Sequence, residues 1–177
     1  VRNVYVAEGP AYTPRRLTNY TQDDGQELTS VQLSPDGRYV VYVRGGDHGS
    51  NFDDALPVNP LAMPSPVTVQ LWSIPFEGGE PKSLGEGDAP VVSPRSDVVA
   101  FERQSQLWVV PLDGSAPARR LFTARGNNGS PTWSPDGSRL AFVSGRGDHA
   151  FIGIYNGPDT PITYVAPSTN RDGSPRW

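Results

Sequence analysis

The chain is predicted to be all-β, a segment of a β-propeller built from four-stranded antiparallel blades and incomplete as a ring. Three observations predict this. A strand–turn–strand unit recurs: Trp133-Ser134-Pro135-Asp136-Gly137 leading into Leu140-Ala141-Phe142-Val143 has a near copy in Leu33-Ser34-Pro35-Asp36-Gly37 leading into Tyr39-Val40-Val41-Tyr42-Val43. The matched positions Leu33, Val92, Trp133 and Trp177 lie 59, 41 and 44 residues apart, within the range of propeller blades. Nineteen glycines and nineteen prolines in 177 residues, with no 3.6-residue periodicity of helix length, favour many turns over helices.

Each unit has a local cause. Serine at position i, a φ-fixing proline at i+1 and glycine at i+3 make a type I turn. The strand after the turn is apolar on both faces, so it must be sandwiched. A degraded third copy, Val91-Val92-Ser93-Pro94-Arg95-Ser96 followed by Val98-Val99-Ala100-Phe101, lacks the glycine, and an altered turn geometry is expected there. Gly173-Ser174-Pro175-Arg176-Trp177 opens a fourth copy. The 59-residue spacing is a 41-residue repeat carrying about 18 extra residues, so one blade has an inserted loop.

Taken in order, residues 1–20 read as the outer two strands of a preceding blade whose inner two are missing. They resemble Leu107-Trp108-Val109-Val110 and Arg119-Arg120-Leu121-Phe122 later in the chain. Residues 29–84 form a blade with an inserted loop at 45–66, where Pro57, Pro60, Pro64 and Pro66 favour extended backbone. Blades follow at 89–122 and 130–165, and 173–177 starts the next. Because antiparallel connections alternate between faces, the Ser-Pro-Asp-Gly corners share one face. The other, loop-rich face carries Asp23, Asp24, Asp47, His48, Asp53, Asp54, Glu86, Asp88, Arg125, Arg146, Asp148, His149 and Arg171, and is where function is expected.

Composition excludes several classes. A net charge of −4 gives no electrostatic footprint for nucleic acid. With 36% hydrophobic residues the chain reads as neither disordered nor membrane-spanning. The lack of cysteine removes disulfides and thiolate metal sites, and no cofactor is implied. No signal peptide is visible at Val1, so the chain reads as processed or cut from something longer.

The stretch Trp133-Ser134-Pro135-Asp136-Gly137-Ser138-Arg139-Leu140-Ala141-Phe142, with its copy starting at Ser34, resembles the propeller repeat shared by prolyl-oligopeptidase-family serine peptidases and the periplasmic TolB propeller. Gly145-Arg146-Gly147-Asp148-His149-Ala150-Phe151, Ala166-Pro167-Ser168-Thr169-Asn170-Arg171-Asp172 and Leu71-Trp72 with Gly85-Glu86-Gly87 are similar to the N-terminal propeller of dipeptidyl-peptidase and acylaminoacyl-peptidase-like members. The resemblance implies a periplasmic or secreted parent protein in which the propeller gates peptide access to an α/β-hydrolase domain and docks on it. That domain and a peptide substrate are then the implied partners. No catalytic residue is identified: there is no Gly-x-Ser-x-Gly and no Glu-Glu pair for a substrate amino terminus. A TolB-like scaffold that binds a protein partner and catalyses nothing is the alternative. Self-association through unpaired blade edges is a third possibility.

Four residues are candidates for substrate or interdomain binding: Arg146, His149, Arg171 and Asp148. The two histidines, His48 and His149, each end a Gly-Asp-His triplet, either lining an entrance or simply repeating a loop-closing motif. Adjacent residues seldom converge on one metal, so no metal site is expected. The guanidinium forks of Arg146 and Arg171 suit a peptide carboxylate or carbonyl, or a docked domain; salt bridges to Asp148 or Asp172 are the plainer reading. Trp72, Trp108, Trp133 and Trp177 fall at repeat positions and are expected to pack between blades.

Overall fold

The computed structural model describes residues 1–45 and 68–177. The inserted loop expected at 45–66, with Asp47, His48, Asp53 and Asp54, lies outside the described residues but for Gly45. No helix occurs among the described residues, and none is long and apolar enough to cross a membrane. Fourteen strands are present among them: β1 (Tyr5–Val6), β2 (Arg15–Arg16), β3 (Leu28–Leu33), β4 (Tyr39–Arg44), β5 (Gln70–Pro75), β6 (Lys82–Glu86), β7 (Asp88–Val92), β8 (Val98–Arg103), β9 (Gln106–Pro111), β10 (Arg119–Arg120), β11 (Asn127–Trp133), β12 (Leu140–Gly145), β13 (Ala150–Tyr155) and β14 (Thr163–Val165). They form a two-stranded sheet, β1-β2, and three four-stranded sheets in chain order, β3 to β6, β7 to β10 and β11 to β14. Every ladder is antiparallel.

The apolar clusters explain why these are blades. Each one straddles a boundary between sheets. Val41, Val43 and Leu71 of one sheet meet Val99, Phe101 and Val110 of the next. Ala100, Leu107 and Leu121 of that sheet then meet Leu140, Phe142 and Tyr155 of the third. On the other side of the first sheet, Val40, Tyr42 and Ile74 meet Val4 and Leu17. A strand such as β4 therefore alternates between two clusters and is buried on both faces, as its β-branched and aromatic content requires. Val4 and Leu17 reproduce the geometry of Leu107 and Leu121: Leu17 N donates to Val4 O at 2.8 Å, and Leu121 N to Leu107 O at 2.9 Å.

The Ser-Pro-Asp-Gly corners are hydrogen-bonded devices. Gly37 N donates to Ser34 O and Gly137 N to Ser134 O, each at 2.8 Å. The buried Ser34 hydroxyl donates to Asp36 Oδ1 at 2.6 Å and accepts from Tyr39 N at 2.9 Å, tying the turn to the strand that follows. The changed geometry expected at Ser93-Pro94-Arg95-Ser96 is not found. Ser96 adopts φ +56°, against +73° and +66° for Gly37 and Gly137, and closes the same bond to Ser93 O at 2.9 Å. A left-handed serine costs about 1–2 kcal/mol. The residues that replaced the motif offset this by stitching blades: Ser96 Oγ accepts from Asp36 N at 3.1 Å, and Arg95 Nε donates to Asp136 O at 2.8 Å.

A second repeated device was not read from the sequence. Each innermost strand is bulged, with register shifts between Thr29 and Gln32, Asp88 and Val91, and Gly129 and Thr132. Ser30, Ala89 and Ser130 carry the bulge at φ +52°, +48° and +52°. Its signal was present in Pro90 and Pro131, because a proline inside a strand without loss of a ladder donor marks a bulge. Residues 173–177, expected to open another inner strand, form no strand among the described residues. Ser174 nonetheless has φ +52°, and Trp177 Nε1 donates to Thr132 O at 3.0 Å just as Trp133 Nε1 donates to Val91 O at 3.1 Å.

The corners predict an acid response. The Ser34 hydroxyl, then Arg38 N, then the Arg38 guanidinium hold the Asp36 carboxyl at about 2, below its ordinary 3.8. Ser134 and Ser138 hold Asp136 well below the usual carboxylate range. Because the folded-state value is depressed, the stabilisation is present above pH ~4 and is lost as pH falls toward 2. Urea unfolding of Asp36→Asn and wild type should therefore differ at pH 6 and converge near pH 2; a pH-independent difference would contradict this account.

Candidate functional site

On the loop-rich face, the turn before β11 meets the β12–β13 loop around a cavity of about 410 Å³. Its walls include Arg125, Asn127, Arg146, His149 and Phe151. Polar side chains outside this lining hold the turn. Asn128, 1% exposed, donates from Nδ2 to Ala124 O at 3.3 Å and to Gly126 O at 3.1 Å. Gln106 Nε2 donates to the same Gly126 O at 2.8 Å, and the buried Ser144 hydroxyl donates to Arg125 O at 3.3 Å. Three consecutive carbonyls are thus anchored, and Arg125 is presented from a fixed backbone.

Gly126 is required here. It has φ +86°, and a Cβ would lie 2.2 Å from Gly145 O and 3.0 Å from Arg146 Cδ. This close approach covers Arg146 Nε, which is buried with no hydrogen-bond partner. The far end of Arg146 is placed by aromatics: Nη2 donates to Tyr164 Oη at 2.9 Å, and the guanidinium carbon lies 5.9 Å from the Phe151 ring centre and 5.6 Å from that of Tyr164. Arg146 N donates to His149 O at 2.8 Å, closing the loop.

The structure brings the four sequence candidates into one corner, though not as expected in detail. His149 Nδ1 and Asp148 Oδ1 are 2.6 Å apart, and the imidazole holds the Asp148 carboxyl below its ordinary range. Arg171 does not line the cavity. Its guanidinium donates to Gly147 O at 3.0 Å and Asp148 O at 3.3 Å, and its backbone bridges to Ala150, so it clamps the loop from outside. The plainer reading, salt bridges from Arg146 or Arg171 to Asp148 or Asp172, is corrected: among the described residues neither arginine has a carboxylate within 4.0 Å. Backbone carbonyls and a phenol reach their forks first. An inter-blade ion pair occurs elsewhere, between Arg103 and Glu86 at 3.7 Å.

Asn127, Phe151 and Tyr164 were not singled out from the sequence, and Asn128 was missed altogether. The signal for Asn128 was a polar residue at a strand start between glycines, which only burial distinguishes from an ordinary turn residue. Among the described residues, no group of three or more His, Asp or Glu could hold a metal ion.

Stacked four-stranded blades with a loop-rich cationic cavity at one end define a β-propeller segment. Within that class the chain is similar in sequence to TolB homologs and to a tricorn protease homolog. A tricorn protease homolog of Streptomyces coelicolor is 32% identical over 71 residues, 38% of this chain and 6% of that protein. A TolB homolog of Chlorobium chlorochromatii is 28% identical over 145 residues, 82% of this chain and 29% of that one. The chain therefore spans less than a third of either curated relative. Among solved structures, an oligogalacturonate lyase in complex with manganese aligns over 92% of this chain and 47% of its own, with TM-score 0.64 at 16% identity. A prolyl endopeptidase aligns over 92% of this chain and 25% of its own, with TM-score 0.63 at 14% identity. At such identities the structural likeness establishes the fold. No family model matches the chain.

Proposed function

We propose that the chain is a non-catalytic propeller portion of a prolyl-oligopeptidase-type serine peptidase, where it gates peptide access to an α/β-hydrolase domain and docks on it. The observation that carries this reading is the placement of the apolar clusters. Each lies between blades and none within one, so the unit is a wall element that presents faces and loops to neighbours. The 32% identity with a tricorn protease homolog supports a peptidase context. Arg146, His149, Asp148 and Arg171 belong on this reading to the loop face that meets the peptide or the hydrolase domain.

A second reading is favoured by a different observation. Similarity to a TolB homolog extends over 82% of the chain, which supports a scaffold that binds a protein partner. A serine-directed fluorophosphonate probe separates the two. Applied to the product of the complete gene, it should label one serine, and short fluorogenic peptides should be cleaved while a folded protein is not. Residues 1–177 alone should show neither labelling nor turnover. A complete product that takes no label and cleaves nothing would leave the scaffold reading.

A further inference from the structure

We infer that the cavity between Arg125 and Arg146 is a binding site for a carboxylate carried by a peptide. The inference rests on unspent positive charge. Other arginines of the loop face have an acceptor for their charge: Arg2 pairs with Glu27, Arg44 with Asp24 and Arg103, though its Nε is also buried without a hydrogen bond, with Glu86, while Arg171 is taken up by two backbone carbonyls. The guanidinium of Arg125, an exposed residue, has no hydrogen-bond or carboxylate partner among the described residues. Arg146 keeps a buried Nε without a partner and spends one Nη on a neutral phenol. Guanidinium nitrogens without a carboxylate bond most strongly to an ionised acceptor.

The surroundings select the ligand chemistry. Asp148 is engaged by His149, and Glu102, in the adjoining cavity, accepts from Ser130 N at 2.7 Å, so neither is offered to the two arginines. Asn127 and His149 add polar groups to the wall, and Phe151 adds an aromatic one. Two planar forks beside a ring suit a planar, singly charged group with an organic body better than a bare inorganic anion. The turn that carries Arg125 is held in place, because Asn128, Gln106 and Ser144 bond three consecutive carbonyls of it, so little ordering of its backbone remains to be done on binding. Nothing in this depends on whether the loop face serves a peptidase or a scaffold.

The carboxylate can come from a chain terminus or from an acidic side chain, and fluorescence anisotropy with three labelled tetrapeptides distinguishes them. The probes are Ala-Ala-Ala-Phe with a free C-terminus, its C-terminal amide, and the amide carrying one glutamate. At least one acid-bearing peptide should bind tenfold or more tightly than the plain amide, and the stronger of the two names the source. Arg125→Gln, on an exposed turn, should weaken that binding about tenfold with an unchanged unfolding midpoint. Arg146→Lys keeps the charge but loses the fork and should weaken it similarly. Equal binding of all three peptides, no binding of any, or wild-type affinity in the folded Arg125→Gln protein would overturn the assignment. The serine-probe result leaves this test untouched, since it uses no turnover.

Discussion

Replacing Phe142 by alanine is expected to destabilise the protein by about 3–5 kcal/mol, read as a lowered midpoint in urea unfolding at constant slope. Phe142 is fully buried and belongs to the cluster joining the second and third four-stranded sheets. Its ring centre lies 4.7 Å from that of Phe122 and it stands over Gly153, where a Cβ would come within 2.4 Å of Cζ. The glycine is there to receive the ring. Removing the ring leaves a void bounded by ladder backbone on one side and a neighbouring sheet on the other, and neither can close onto it. The cost should therefore fall in the upper part of the range for truncated aromatics. A loss below about 1 kcal/mol would mean that the blades do not depend on this contact, and the account of the core would fail.

Asn128→Asp should be almost as damaging despite its identical shape, with an expected loss of about 3–5 kcal/mol at neutral pH. The side-chain nitrogen faces Gln106 Oε1, Ala124 O and Gly126 O, all acceptors. An aspartate would direct a buried negative oxygen at three others. Burial and repulsion raise such a carboxyl above its unfolded value, so the native state takes up a proton in preference and the deficit shrinks as pH falls. Chemical denaturation at pH 7 and pH 4 would show this. A deficit that stays constant or grows on acidification would argue against the proposed hydrogen-bond directions. Because Asn128 also positions the turn bearing Arg125, peptide binding should weaken together with stability in this variant, whereas Arg125→Gln separates the two.

Much of the fold was legible because it is periodic. The Ser-Pro-Asp-Gly corners, the apolar strands after them and the tryptophans at matched positions each repeat, and repetition separates signal from local accident. Trp133 shows the limit. Its place between blades follows from spacing, but the indole bond to Val91 O needs the preceding sheet in position. The third corner misled for a related reason. Turn preference treats Ser96 as a poor substitute for glycine, while its hydroxyl and Arg95 bond to groups in two other blades, at Asp36 and Asp136. The site was half legible. Arg146, Asp148 and His149 lie in one loop and could be grouped by sequence, but Arg125 reaches them only because β11 pairs with β12, bringing Asn127 opposite Gly145.

What the amino-acid sequence determined by itself is the blade: strand, corner, strand, hairpin, in chain order, because each of those choices is made by residues a few positions apart. What the tertiary structure alone decided is which arginines are satisfied and which are left facing a cavity. Whether a loop-face arginine is paired depends on distances of a few ångströms between residues well separated in the chain, as between Arg2 and Glu27 or Arg44 and Asp24, and so does the meeting of Arg125 with Arg146. Stacking and register set those distances, and no local preference encodes them.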